Sequence, residues 1–286
     1  MVKFGIDLLL WTDKFDSESV ELIPMVGDMG FDAVEIPIFD PDTVDIRATG
    51  RALRESGLDM LGCVIMAPGR DMISDDPDER RNAAEYLKRC VDILSDLGGN
   101  LLVGPMYSVV GKLVGRGRTQ EEWRRAVEGL REIAEYAGPR GVILALEPLN
   151  RFETYFINTA SDMIKLVREI DHPNARILLD TFHMNIEEKD PPGAVRKAGE
   201  LLAHLHCSEN DRGVPGTGHV DWDGIFKALA EIGYDRYIVL ESFVPGIEEI
   251  AKAAAIWRDI NPSAEIFAKE GLDFLKKMAE KWMKEG

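Results

Sequence analysis

Four short runs in this chain end the same way: Leu144-Ala145-Leu146-Glu147, Ile177-Leu178-Leu179-Asp180, His204-Leu205-His206 and Ile238-Val239-Leu240-Glu241. Each is strand-like and apolar, and each closes on a residue that can ligate a divalent cation. The closing residues Glu147, Asp180, His206 and Glu241 are separated by 33, 26 and 35 residues. When ~250 residues make eight strand-plus-helix units, one unit takes about 31 residues. Successive parallel strands would therefore present all four side chains at one end of one sheet. A single glutamate at a strand end is an ordinary solvated residue, whereas four ligand types in register point to a metal site.

The same alternation runs through the whole chain. Strand-like runs recur near Phe4–Leu10, Ala33–Pro37, Met60–Met66, Leu101–Pro105, Val142–Glu147, Arg176–Asp180, Leu202–Ser208 and Tyr237–Glu241. Helical periodicity fills the intervals. Leu87, Val91, Leu94 and Leu97, for example, recur every three or four residues before Gly98-Gly99 stops the turn. Gly30, Gly57, Gly141 and Gly233 stand where left-handed helix ends are expected. Eight such units predict a single (β/α)8 TIM barrel over residues 1–286. A doubly wound open sheet is the runner-up, but it gives no reason for ligands on four consecutive strands. From Asn261 to Gly286 a C-terminal helical extension is expected, with Ile266, Phe267, Leu272, Phe274, Leu275, Met278 and Trp282 as its apolar stripe.

Charge and cysteine usage narrow the function classes. A net charge of −17 over 286 residues disfavours nucleic acid as a partner, which needs a basic footprint. No apolar run approaches the ~18 residues of a membrane span. Cys63, Cys90 and Cys207 imply no disulfide framework, and Met1-Val2-Lys3-Phe4-Gly5-Ile6 enters a strand pattern directly. A cytoplasmic location is the expectation.

Three carboxylates and one imidazole suit a hard or borderline cation, Mn²⁺ first, with Mg²⁺ or Co²⁺ as alternatives. Such a cation acts as a Lewis acid on a carbonyl and its neighbouring hydroxyl. Glu147 and Glu241 belong to the fifth and eighth strands, almost opposite each other in an eight-strand ring. Two carboxylates across a bound carbon are what two-base epimerisation requires: one removes a proton, the other returns one to the opposite face. His204, two residues before His206, is expected one layer deeper as a hydrogen-bonded core histidine, and Cys207 to face away from the barrel interior. Asp75-Asp76 and Glu187-Glu188 read as solvated acidic runs.

The runs Glu147-Pro148-Leu149-Asn150-Arg151-Phe152-Glu153 and Asp180-Thr181-Phe182-His183-Met184-Asn185-Ile186-Glu187-Glu188 are longer and more specific. With Glu209-Asn210-Asp211-Arg212, Gly216-Thr217-Gly218, Glu241-Ser242-Phe243 and Ile256-Trp257-Arg258-Asp259, they resemble the D-tagatose, D-allulose (psicose) and L-ribulose 3-epimerases of the xylose-isomerase-like barrels. The resemblance implies that Glu147, Asp180, His206 and Glu241 hold Mn²⁺. It implies that Glu147 and Glu241 also move the proton at C3 of a free ketose through a cis-enediolate. It further implies that Glu153, His183 and Arg212 grip the oxygens at C1 to C3, and that the chain is a homo-oligomer, a dimer or tetramer. Read alone, Arg212 could equally be a solvated loop residue, His183 a loop anchor and Glu153 a helix cap. Asp7-Leu8 replaces an aromatic of several members, although Trp11 is retained. Met106-Tyr107-Ser108-Val109-Val110 lacks a tryptophan that some use against the sugar tail.

Reversible C3 epimerisation is the leading expectation. An aldose–ketose or hydroxypyruvate-type isomerase on the same metal site, an inosose dehydratase-like activity and a non-catalytic sugar-binding barrel are the alternatives. A multi-zinc endonuclease is disfavoured by a count of only five histidines.

Overall fold

The computed structural model describes residues 1–243 and 255–283. Eight strands close into one barrel in chain order: β1 (Lys3–Asp7), β2 (Ala33–Pro37), β3 (Asp59–Cys63), β4 (Leu101–Gly104), β5 (Ile143–Leu146), β6 (Ala175–Asp180), β7 (Leu202–Cys207) and β8 (Tyr237–Leu240). Every neighbouring pair is parallel, and β8 pairs with β1. All eight expected runs are strands, and the closed ring replaces the open-sheet alternative. Among the described residues nine α-helices cover it: α1 (Leu22–Asp28), α2 (Ile46–Ser56), α3 (Pro77–Asp96), α4 (Gln120–Ala137), α5 (Ala160–Ile170), α6 (Thr181–Glu187), α7 (Pro191–Ala198), α8 (Trp222–Glu231) and α9 (Ala264–Trp282).

Side-chain alternation along the strands builds two cores. Outward residues such as Ile36, Leu102, Leu146, Leu179 and Cys207 pack against the helices, where Leu87, Ile133, Val167 and Phe226 meet them. Inward residues make a smaller cluster that includes Ala33, Leu61, Val103, Ala145, Leu178 and Val239. Cys207 thus faces away from the interior, as its position in the strand implies. Fully burying one such aliphatic side chain stabilises the fold by about 1.5–3 kcal/mol.

Local signals set the helix ends. Thr119 and Glu122 form a reciprocal capping box at the start of α4, and Asp45, Thr159, Asp221 and Ser263 cap α2, α5, α8 and α9. Gly30, Gly57, Gly141 and Gly233 all take left-handed backbone. α9 packs on α8, β1 and β8. It begins at Ala264, three residues after the expected start, because Ser263 caps it there; residues 284–286 of the expected extension lie outside the described residues.

Three expectations need correction. The first strand stops at Asp7, because that side chain accepts the Leu9 N–H at 2.7 Å and turns Leu8–Leu10 into a 3₁₀ helix. Asp76 is a helix cap: it accepts the Asp78 N–H at 2.8 Å and starts α3 at Pro77. Glu187 and Glu188 are engaged as well, the first by Arg151 at 2.9 Å and the second by the Ala160 N–H at 2.8 Å.

Register between β6 and β7 sets the relative level of two ligand-type residues. Ile177 pairs with Leu202, but Leu178 pairs with His204, so Ala203 is an extra residue in β7. Such a bulge re-aims the side chains beyond it. Past it, Asp180 lies level with His206; an unbroken register would have set it against Leu205.

Candidate active site

Glu147 follows β5 directly, Asp180 ends β6, His206 lies one residue before the end of β7, and Glu241 follows β8. The ladder extends past the strands to hold the two glutamates, with Glu147 N–H donating to Gly104 O and Glu241 N–H to Cys207 O. One ligand atom each from Glu147, Asp180 and His206 lie within 4.8 Å of one another, and the same holds for Asp7, His206 and Glu241. The four spaced residues therefore gather around one buried point, in two triads that share His206.

His206 shows what that point can hold. Its Nε2 is 2.9 Å from Glu35 Oε1, while its buried Nδ1 has no hydrogen-bond partner. Nδ1 instead stands 3.3 Å from Glu241 Oε1 and 4.0 Å from Glu147 Oε1. A fixed imidazole with a free inner nitrogen, facing carboxylates, fits a divalent cation. The carboxylates behave as crowded acids. Burial, then the nearby Glu241, raises the Glu147 carboxyl well above its ordinary range. Burial pushes Glu241 up to about 7, with His206 and Arg212 opposing it. Burial is the largest influence on Asp180 and would raise it, but the Arg212 guanidinium together with His183 and His206 outweighs burial and holds that carboxyl low. His206 is raised despite its burial because Glu241 and Glu35 favour its charged form.

Glu147, Glu241, Glu153, His183 and Arg212 all line one cavity of about 120 Å³. His183, from α6, accepts the Asn150 backbone N–H at Nδ1 (3.1 Å). Burial lowers its pKa, so the neutral ring carries its proton on Nε2. That nitrogen lies 3.6 Å from Glu147 Oε1 and 3.8 Å from Asp180 Oδ2, facing the same point. Arg212 is buried, and its Nη1 bridges Asp180 Oδ2 at 2.6 Å and Glu241 Oε2 at 2.7 Å. Its guanidinium carbon sits 4.2 Å from the Phe182 ring centroid and 5.1 Å from that of Phe243. This is no solvated arginine. Glu153 accepts from Asn150 Nδ2 at 2.7 Å, and the next helix is capped by Thr159 instead, which removes the capping alternative.

Residues 25–278 match the xylose isomerase-like TIM barrel family. A ketose 3-epimerase of Arthrobacter globiformis is 35% identical over 262 residues, 91% of this chain and 90% of that protein. The structure of an L-ribulose 3-epimerase superposes with a TM-score of 0.94 at 32% identity, covering 99% of this chain and 96% of the other. That of a Methylomonas sp. D-allulose 3-epimerase in complex with D-allulose gives 0.92 at 31% identity, with 97% of each chain covered. The chain belongs to the xylose isomerase-like TIM barrels, in their ketose 3-epimerase group.

Beyond the candidate residues named from the sequence, the site contains three more, Glu35, Asp7 and Asn150, of which only Asn150 lies in a run that carries the family likeness. Glu35 of β2 is buried between two imidazoles: Oε1 meets His206, and Oε2 lies 2.9 Å from His204 Nε2 without hydrogen-bond alignment. His204 is thus the deeper core histidine expected, but neither ring nitrogen makes the expected hydrogen bond, and burial lowers its pKa. Asp7 of β1 is fully buried beside Glu35 and Glu241, and burial, then Glu35, raises its carboxyl. Asn150 ties His183 to Glu153. The available signal for Glu35 was an acid flanked by apolar residues in Ala33-Val34-Glu35-Ile36-Pro37, on the inward parity of Ala33. Leu9, Phe39, Ile65, Val110, Leu149 and Phe243 supply apolar lining to the cavity, and among the described residues no helix is long and apolar enough to cross a membrane.

Proposed function

We propose that this protein epimerises free ketoses at C3, taking substrates of the D-fructose/D-allulose, D-tagatose or L-ribulose type. The observation that carries the reading is the pairing of Glu147 and Glu241, two buried carboxyls with raised pKa that line one cavity. In the metal-free site burial raises both carboxyls, Glu241 to about 7, so each can hold a proton there as well as give one up. The family's ketose 3-epimerases add support.

A divalent cation, Mn²⁺ by preference with Mg²⁺ or Co²⁺ as alternatives, would be held by Glu147, Asp180, His206 and Glu241 and would acidify the C3 proton by polarising the neighbouring carbonyl. One glutamate removes that proton from its face of the sugar and leaves a cis-enediolate. The other returns a proton to the opposite face, which inverts C3. The His183 Nε2–H and the Arg212 fork donate to the sugar oxygens near the reacting carbon, and Glu153 accepts from a hydroxyl. Phe39, Val110 and Phe243 would shield the remainder of the sugar from water.

The test is a product assay with Mn²⁺-loaded protein and D-fructose, D-tagatose and L-ribulose supplied separately. The 3-epimer of at least one is expected. An aldose product would make the protein an isomerase, and sugar binding without any product would make it a binding barrel.

A further inference from the structure

We infer that Glu209, which takes no part in the proton transfer or the sugar contacts, is the positioning residue that holds Arg212 in the site; the inference rests on the proposed C3 epimerisation for its kinetic meaning. Arg212 is carried by the loop between β7 and α8, not by a strand, so something must fix it. Its backbone φ is +69°, a left-handed conformation that non-glycine residues rarely adopt. Such a residue persists only where its surroundings over-determine it.

Glu209 supplies that determination from both its backbone and its side chain. The Arg212 N–H donates to Glu209 O at 3.0 Å, and the Glu209 N–H donates to Gly213 O at 2.9 Å, closing residues 209–213 on themselves. The buried side chain then gathers the remainder of the loop. Oε1 accepts from the Val220 N–H at 2.7 Å and the Asn210 N–H at 3.3 Å. Oε2 accepts from the Gly216 N–H at 2.8 Å and from Trp222 Nε1–H at 2.9 Å, at the first turn of α8. Four donors thus converge on two oxygens. The loop closes tightly over them: a Cβ on Gly218 would fall 2.5 Å from Glu209 Cγ and 2.2 Å from Asn210 Oδ1. Ser242 Oγ–H secures the other side by donating to Arg212 O at 2.6 Å.

A carboxylate is the group this geometry demands, because both oxygens accept two N–H donors. A glutamine in either orientation sets its NH₂ against two of them. The expected result is a loop that no longer holds the left-handed turn, with Arg212 released from between Phe182 and Phe243.

The experiment combines a kinetic cycle with a direct view of Arg212. Glu209→Gln, Arg212→Ala and the double variant are compared by kcat/KM on the ketose the wild type turns over. With [¹⁵N]arginine labelling, the Arg212 Nε–H resonance is assigned by its loss in Arg212→Ala. Glu209→Gln is expected to lower kcat/KM by roughly 10- to 100-fold, to have less than about a twofold effect once Arg212 is alanine, and to shift the Arg212 resonance toward those of exposed arginines. A loss that persists in full in the Arg212→Ala background, or an unmoved Arg212 resonance, overturns the inference. If Glu209→Gln does not fold, Trp222→Phe removes one donor while keeping a ring in place. A several-fold loss that vanishes with Arg212→Ala supports the inference, and an additive loss overturns it. A wild type that turns over no ketose defeats the proposed function instead, and the resonance alone then decides the role of Glu209.

Discussion

At the scale of single residues, the acidic interior is held together by partners rather than by solvent. Glu35 fixes the His206 ring by accepting at Nε2, which leaves Nδ1 as the inward atom. Groups that orient a ligating histidine typically contribute 10- to 100-fold to metal affinity. Glu35→Gln is therefore expected to weaken Mn²⁺ binding by about that factor, read from free Mn²⁺ in a titration; unchanged affinity would contradict the role. Asp7 is the opposite case, since burial and then Glu35 raise its carboxyl. A raised folded-state pKa contributes stability below the unfolded carboxyl pKa, and that stability is lost as pH rises toward the folded value. In the metal-free protein at pH 7, Asp7→Asn should leave the melting temperature unchanged or higher, and a clear fall would show that the charged form is stabilising. The four ligand-type residues were legible because each ends an apolar run. Glu35 and Asp7 were not, because a buried acid inside or at the edge of a strand shows its partner only once the barrel closes. Glu35 and His206 are 171 residues apart.

Elements were read more easily than their ends. Every strand could be located from apolar runs between turn signals, yet the 3₁₀ turn after β1 depends on one Asp7 side chain and has no periodicity to betray it. The bulge at Ala203 was equally hidden, although it brings His206 level with Asp180. Alternation alone would have set Leu205 there. Helix starts depend on caps whose worth can be measured one at a time. Thr119 accepts the Glu122 N–H at 3.1 Å, and Glu122 returns the bond to the Thr119 N–H at 2.6 Å. Thr119→Ala is expected to cost about 1 kcal/mol, seen as a drop of about 2 °C in a thermal melt. No measurable drop would mean that the Arg116 and Tyr155 contacts to Glu122 hold this end of α4 without the cap.

For the whole molecule, the barrel converts four separated strand ends into one site whose charges repel until a cation or protons arrive. Glu147, Glu241 and His206 all have raised pKa values, that of Glu241 about 7. A cation must displace the protons these groups hold, so its affinity should rise with pH through about 7 and each binding event should release protons. Calorimetry of Mn²⁺ binding in buffers of different ionisation enthalpy reads both, and an affinity flat between pH 6 and 8 would contradict the protonated site. The central claim is that two glutamates on opposite sides of one cavity exchange a proton at C3. The most direct measurement incubates Mn²⁺-loaded wild type and Glu241→Gln with a ketose in D₂O and follows deuterium by NMR. Wild type is expected to place deuterium at C3 of the 3-epimer, and Glu241→Gln to lose that conversion by about 10²- to 10⁴-fold. Deuterium at C1 or C2 with an aldose product, or epimerisation by Glu241→Gln at the wild-type rate, would contradict it.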